Sequence, residues 1–169
     1  MKNIIALNGI MGVGKSTIGK KLADKIDYYF IDSDCEIEDR AGKTISQIFK
    51  DGGEDDFRQI EKNLIFELIS RNENIVLALG GGSYINDEIR QELSKKSVTI
   101  WLKADIDVIF NRLKNKNNRP LLNCGDKRKI LLDLINKRNP IYKQSDITID
   151  VANKSSDRIV DEIIKYNKS

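Results

Sequence analysis

The sequence contains no histidine among its 169 residues, and it has few cysteine, proline and aromatic residues. Without an imidazole, the chain cannot form a serine–histidine triad or a histidine-containing metal site. Its two cysteines, Cys35 and Cys124, lack the spacing of metal ligands, which favours two reduced thiols in a cytosolic protein. No apolar run reaches the roughly 20 residues that a membrane span requires. We therefore expect no membrane association.

The sequence also lacks a large excess of basic over acidic residues, or of acidic over basic ones. Lysine and arginine number 29, and aspartate and glutamate number 26, which gives a net charge of +3. This mild balance is compatible with an anionic ligand, but no long basic run indicates nucleic acid. The N-terminus begins with a strand-like run, so we expect no signal peptide and a cytoplasmic location. The length fits a single domain, and we expect a monomer.

Five short apolar runs alternate with segments of helical period. The runs are IIALN (4–8), YFI (29–31), IVLAL (75–79), VTIWL (98–102) and ITIDV (147–151). Apolar strands that alternate with helices are typical of a parallel sheet covered on both faces. We predict one α/β domain over 1–169, with insertions at 33–62 and in the polar stretch 114–125, where such domains bind ligands. The helix with Ile130 and Leu134 is predicted to end at Asn139-Pro140.

A phosphate-binding loop follows the first apolar run. GIMGVGKST (9–17) fits the pattern G-x-x-x-x-G-K-[ST] between a strand and a helix, the context that confirms this motif. Backbone N–H groups and the helix N-terminus would surround the β-phosphate, Lys15 would neutralise phosphate charge, and Ser16 would ligate Mg²⁺. The predicted nucleotide-binding residues of the loop are Gly12, Val13, Gly14, Lys15, Ser16 and Thr17.

Two carboxylates follow the second apolar run. Asp32 and Asp34 lie two residues apart on what we expect to be an extended segment, so both side chains would project toward one site. One could hold Mg²⁺ through its water, and the other could accept a proton from an incoming hydroxyl. Alternatively, Ser33 and Asp34 cap the next helix, which is compatible with a catalytic role.

A second glycine-rich turn, LALGGGSY (77–84), follows the third run. Three glycines after a strand can form a phosphate cradle, because bare backbone approaches an anion closely. The first loop already supplies such a cradle. The residues alone leave open whether this turn contacts a second substrate or only connects a strand to a helix.

Several motifs in this order make the sequence resemble the shikimate kinase family, within the wider group of small-metabolite and nucleoside monophosphate kinases. They are the phosphate loop, FIDSD (30–34), DDFRQIE (55–61), LGGG (79–82), RPLL (119–122) and KRNPIY (137–142). The resemblance covers residue 4 to about 150. It implies a P-loop kinase fold with a five-stranded parallel sheet in the order 2-3-1-4-5. It also implies transfer of the ATP γ-phosphate to the 3-hydroxyl of shikimate, in the aromatic amino-acid pathway.

The resemblance implies an acceptor site with an acid-binding end. Asp34 would bind the shikimate hydroxyls and act as the base, and Arg58 and Arg138 would grip the carboxylate, since a guanidinium pairs bidentately with it. The glycines that would line this site are Gly80, Gly81 and Gly82. For Arg58 a surface ion pair with Glu61 is the alternative, although Glu61 could also orient it.

On the nucleotide side, the resemblance adds a lid over 112–125. Arg119 would reach from this lid to the phosphates and act with Lys15 and Asp34 in catalysis, because phosphoryl transfer needs cations that meet the developing charge. Arg112 would stack on adenine, and Asp32 would support Mg²⁺ beside Ser16. The implied cofactors are ATP and Mg²⁺.

Two other functions stay open from the residues. A kinase for another small acceptor such as gluconate would also need arginines and a base, because gluconate carries a carboxylate and hydroxyls. A nucleotide-dependent binding module without transfer activity would keep the phosphate loop. The retained Lys15, Asp34 and Arg119 favour transfer chemistry.

Overall fold

The structure is a computed structural model that describes residues 2–113 and 126–167. Five parallel strands form one sheet in the order β2-β3-β1-β4-β5, which confirms the predicted topology. The strands are β1 (Ile4–Asn8), β2 (Tyr29–Asp32), β3 (Ile75–Ala78), β4 (Ser97–Lys103) and β5 (Ile147–Asp150). Each of the five apolar runs therefore forms a strand, and the central strand β1 pairs with β3 and β4.

Helices cover both faces of the sheet. They are α1 (Lys15–Ile26), α2 (Ser33–Ala41), α3 (Ile45–Ser70), α4 (Asp87–Lys96), α5 (Ile106–Leu113), α6 (Lys127–Tyr142) and α7 (Ser156–Asn167), with a 3₁₀ turn at Ser83–Ile85. Alternate residues of β1 enter two cores, Ile5 with residues of α1 and α7, and Ile4 with residues of α3 and α4. Each such fully buried side chain contributes about 1.5–3 kcal/mol. No helix in the described part has the length and apolar character needed to cross a bilayer.

The first turn of α2 differs from the expected extended segment. Asp32 ends β2, and its side chain caps α2 by accepting from the N–H groups of Asp34 (3.0 Å) and Cys35 (3.3 Å). Asp34 is therefore a helical residue, and neither Ser33 nor Asp34 is the cap. The extended assignment was wrong because a carboxylate N-cap starts the helix directly at the strand end.

Two glycines, Gly42 and Gly53, interrupt the helical segment between β2 and β3. Gly42 ends α2 with a φ of 61°, and α3 leaves the helical conformation at Gly53, where φ is 80°. Before this break, α3 begins at a capping box in which Thr44 and Gln47 bind each other's backbone N–H. The segment between β2 and β3 is thus helical on both sides of the break.

The prediction that α6 ends at Asn139-Pro140 is wrong, because the helix continues to Tyr142. A proline inside a helix costs about 3 kcal/mol or more. Two features offset this cost. The Lys143 N–H donates to the Asn139 carbonyl at 2.9 Å and closes the next turn, and the extra turn buries Tyr142 completely.

Candidate active site

The loop between β1 and α1 depends on glycines with left-handed backbone. Gly9, Gly12 and Gly14 have φ values of 137°, 80° and 109°, which favour glycine. At Gly9 a Cβ would also lie 2.6 Å from the carbonyl oxygen of Leu102. Gly14 caps α1 without a side chain, so the N–H groups at the start of this helix suit an anion.

This loop lines a cavity of about 510 Å³. All the predicted nucleotide-binding residues in the described part line it, together with the two aspartates: Gly12, Val13, Gly14, Lys15, Ser16, Thr17, Asp32, Asp34 and Arg112. The ammonium group of Lys15 donates to the carbonyls of Gly9 (2.7 Å) and Ile10 (3.2 Å). Lys15 and Arg112 are among the cationic side chains that line this cavity, where they would attract phosphate.

Arg112 lies against the phosphate loop. Its Nη1 donates to the carbonyl of Val13 at 2.8 Å and contacts that of Gly12 at 3.4 Å. This contact joins α5 to the loop across about a hundred residues of sequence. Arg119 lies outside the described residues, as do all the residues of the predicted lid (112–125) from 114 onward.

Ser16 and Asp32 form an oxygen pair at the cavity wall. The Ser16 hydroxyl donates to Asp32 Oδ2 at 2.5 Å. Hydroxyl and carboxylate oxygens are the ligands that Mg²⁺ prefers, and in kinases it binds one or two such groups together with substrate phosphates. In the described part, no cluster of three or more acidic or cysteine side chains could hold a metal on its own. The pair therefore fits a Mg²⁺ that arrives with a nucleotide.

A second cavity of about 280 Å³ lies beside the first. Both sides of the α3 break contribute to it, with Phe49 before Gly53 and Phe57 and Arg58 after it. The rings of Phe49 and Phe57 lie 4.8 Å apart and form an apolar wall. Arg138, Glu61 and Asp34 add charged groups. An apolar wall with a few convergent polar groups is typical of a small-molecule site.

The triglycine turn after β3 brings three charged side chains close to bare backbone. A Cβ would lie 2.6 Å from Asp34 Oδ1 at Gly80, 3.2 Å from Arg138 Nη1 at Gly81 and 2.7 Å from Arg58 Nη2 at Gly82. None of the three glycines has a positive φ. These positions therefore require glycine because it has no side chain, which leaves room for side chains from α2, α3 and α6 to converge on one turn.

Glu61 holds Arg58 toward this turn. The Glu61 side chain is only 1% exposed, and it accepts from Arg58 Nη1 at 2.8 Å and from Ser83 Oγ at 2.5 Å. Burial alone would lower the pKa of Arg58, but the neighbouring Glu61 and Glu54 raise it above its ordinary value. Since Glu61 is buried and each of its carboxylate oxygens accepts a hydrogen bond, the pair is not the solvated surface pair that the sequence left open.

Arg138 is also buried, at 9% exposure. Its Nη1 donates to the Gly81 carbonyl at 3.0 Å, and the hydroxyl of Tyr142 donates to the same oxygen. Arg138 therefore faces the second cavity from α6.

The two cavities meet at three residues, Met11, Asp34 and Gly81. A molecule in either cavity would therefore approach Asp34. Because parallel strands direct their carboxyl ends to one edge of the sheet, the phosphate loop after β1, the aspartates at the end of β2 and the turn after β3 come together there.

Sequence reasoning missed several residues at this site. Ser33 is fully buried, and its hydroxyl accepts from the Gly80 N–H at 2.9 Å. Ser83 donates a hydrogen bond to Glu61, and Tyr142 donates one to the Gly81 carbonyl. Lys154 lines the first cavity from the segment between β5 and α7, paired with Glu162 at 2.7 Å. That segment follows the carboxyl end of a parallel strand, a signal that could have indicated it.

Cys35 follows Asp34 and is exposed. Partial burial and then the nearby carboxylates, Asp32 first among them, raise the pKa of its thiol. A raised pKa keeps the thiol protonated at neutral pH and makes it a poor nucleophile. Cys124 lies outside the described residues.

Comparisons with known proteins agree on one family. The family model for shikimate kinase matches residues 11–168. A shikimate kinase of Bradyrhizobium diazoefficiens is 43% identical over 161 residues, which cover 95% of this chain and 77% of that protein. The structure of shikimate kinase from Acinetobacter baumannii in complex with shikimate superposes with a TM-score of 0.92 at 34% identity, covering 96% of this chain and 91% of that one.

A gluconokinase from Sinorhizobium meliloti is more distant. Its structure gives a TM-score of 0.63 at 19% identity and covers 95% of this chain and 89% of that one. This likeness extends to the fold alone.

Proposed function

The chain belongs to the shikimate kinase family, and on that premise we propose that it transfers the γ-phosphate of ATP to the 3-hydroxyl of shikimate, giving shikimate 3-phosphate and ADP. The observation that carries this proposal is the junction of two cavities at Asp34. One cavity is lined by a phosphate loop, and the other contains two guanidinium groups. A nucleotide and a hydroxylated carboxylic acid bound there would face each other across Asp34.

The acceptor is held by charge at one end and by close backbone at the other. Arg58 and Arg138 would pair with its carboxylate, and their planar groups fix the orientation of the ring. The bare turn at Gly80, Gly81 and Gly82 lets the ring approach the main chain. With the carboxylate fixed, the hydroxyl at the far end of the ring would lie near Asp34.

The transfer step uses Asp34 as the base. As the acceptor oxygen forms a bond to the γ-phosphorus, its proton passes to Asp34, and the bond between the γ-phosphorus and the bridging oxygen breaks to release ADP. Lys15 and the N-terminus of α1 would hold the phosphates and stabilise the charge that develops on them. Arg112 would lie beside the adenine, and Arg119 would add a second cation from the lid over 112–125.

The residues present fit a magnesium ion. Ser16 and Asp32 would hold it, and when bound with the nucleotide it would neutralise phosphate charge. We further propose that residues 1–169 form a single domain that acts as a cytoplasmic monomer without nucleic acid or membrane partners. Elution of the full chain at the monomer volume in size-exclusion chromatography would test the oligomeric state.

A coupled assay of ADP release tests the proposed function. Purified full-length protein is incubated with ATP and Mg²⁺, with shikimate, with gluconate or with no acceptor. We expect turnover with shikimate and only background release in the other two reactions. Faster turnover with gluconate would favour the gluconate kinase alternative. Tight ATP binding without turnover on either acceptor would favour a binding module.

A further inference from the structure

The carbonyl oxygen of Gly81 accepts two hydrogen bonds from the same helix. Arg138 Nη1 donates at 3.0 Å, and the Tyr142 hydroxyl, one helical turn further along α6, donates as well. A carbonyl oxygen has two lone pairs, so both are occupied. Both donors are buried, with Arg138 at 9% and Tyr142 at 0% exposure. Gly81 itself belongs to both cavities.

We propose that the Tyr142 hydroxyl is a positioning group for acceptor binding, because it fixes the Gly81 carbonyl on which Arg138 is aligned. The inference rests on the proposed function, in which Arg138 and the triglycine turn contact the acceptor. A guanidinium is planar, so the Nη1 bond to Gly81 sets the direction of its other N–H groups. A carbonyl held by Arg138 alone would move with that side chain and offer no fixed reference.

Tyr142 is itself held firmly enough to serve as such a support. Its ring lies 6.2 Å from that of Trp101 and 6.4 Å from that of Tyr84. Its carbonyl accepts from Ser145 Oγ at 2.7 Å, and Ser145 Oγ accepts from Asn8 Nδ2 at 2.8 Å. Asn8 is the last residue of β1, directly before the phosphate loop, so Tyr142 is anchored to the central strand.

The hydroxyl stays protonated at neutral pH. Burial raises the pKa of Tyr142 above its ordinary value, and the neighbouring Arg138 opposes this only in part. The group can therefore donate to Gly81 throughout the neutral range. Core packing alone would be served equally well by phenylalanine, whereas the hydroxyl has its partner inside the acceptor site.

The test compares Tyr142→Phe with Tyr84→Phe. Both changes remove one hydroxyl and keep the buried ring, but Tyr84 donates no hydrogen bond to Gly81 in the described part of the chain. We expect Tyr142→Phe to raise the KM for shikimate about threefold to tenfold, the effect of one lost hydrogen bond, with the KM for ATP unchanged. We expect Tyr84→Phe to leave both constants unchanged. Tyr142→4-aminophenylalanine restores a donor and should recover the wild-type KM.

Four results would overturn the inference. One is an unchanged KM for shikimate in Tyr142→Phe, and another is a parallel rise of both KM values with a lower unfolding temperature, the mark of a loosened core. Should Tyr142→Phe fail to fold, Ser145→Ala removes the support of Tyr142 without touching its ring, and an unchanged KM for shikimate there would also refute the role. A wild-type protein inactive on shikimate would instead overturn the proposed function and this inference together.

Discussion

Asp34 lies where the two cavities join, in the first turn of α2. The neighbouring Asp32 has a different task, because it caps α2 and bonds Ser16. In the proposed reaction these two aspartates, two residues apart, would act at different places, Asp32 at the nucleotide and Asp34 at the junction of the cavities. This division depends on the helix that starts between them.

Asp34→Asn should lower kcat by about 10²–10⁴-fold, the usual contribution of a general base. The amide keeps the shape of the side chain, so the dissociation constant for ATP should stay nearly unchanged. Steady-state kinetics and calorimetric ATP binding measure the two effects. Asp39→Asn is the matched control, since Asp39 lies exposed on the same helix and lines neither cavity. A wild-type kcat in Asp34→Asn would refute its assignment as the base.

Arg58 offers a second comparison at this scale, because two glutamates pair with it in different surroundings. Glu61 is buried and lies 2.8 Å away, whereas Glu54 is 67% exposed and lies 3.4 Å away. Glu61→Gln should raise the KM for shikimate about tenfold or more, since the amide removes the buried negative charge that pairs with Arg58 and weakens the hydrogen bond between them. Glu54→Gln should change it little, as exposed pairs contribute about 0–1 kcal/mol. Equal effects of the two variants would show that burial of Glu61 does not orient Arg58.

At the scale of elements, the triglycine turn and the end of α2 use glycine for different reasons. Gly80, Gly81 and Gly82 provide space beside charged side chains, and none needs a positive φ. Gly42 has a φ of 61° and open space around the position of a Cβ. A glycine-to-alanine substitution therefore tests the lack of space in the triglycine turn and the left-handed backbone conformation at Gly42.

Alanine at each glycine should give two distinct results. At positions 80 and 82 the methyl group meets Asp34 or Arg58 below 3.0 Å, and at Gly81 it meets Arg138 at 3.2 Å, so we expect the KM for shikimate to rise at all three and least at Gly81. The unfolding temperatures of these three variants should stay nearly constant, because only side-chain ends move.

Gly42→Ala should keep the wild-type kinetics but lose about 1–2 kcal/mol of stability through left-handed strain. Each kcal/mol should lower the unfolding temperature by roughly 2–4 °C. A thermal shift assay and kinetics distinguish the two patterns. Unchanged KM values at positions 80–82 would mean that the turn is only a connection.

Elements were predictable where the signal is local. The strands follow from apolar runs, and the phosphate loop follows from a short pattern whose residues are adjacent in the chain. Two errors arose where one interaction outweighs a local rule. The cap by Asp32 starts α2 early, and burial of Tyr142 carries α6 past Pro140.

At the scale of the whole molecule, sequence patterns do not predict which side chains from distant helices meet at one site. Arg58, Arg138 and Asp34 lie on three helices, and nothing in their spacing brings them to one turn. Their expected roles came from a resemblance between motifs. The buried pair of Glu61, the two donors on Gly81 and the shared junction of the cavities appear only when the sheet brings its strand ends together.

The most direct test of the whole site is a competition between acceptors in one reaction. Full-length protein receives limiting ATP with equal concentrations of shikimate and gluconate, and phosphorus NMR identifies the products. Because both acceptors compete for the same enzyme, the product ratio equals the ratio of their kcat/KM values. We predict shikimate 3-phosphate as the only phosphorylated acceptor. Phosphogluconate as the main product, or phosphate on another hydroxyl of shikimate, would contradict the placement of the acceptor across Asp34.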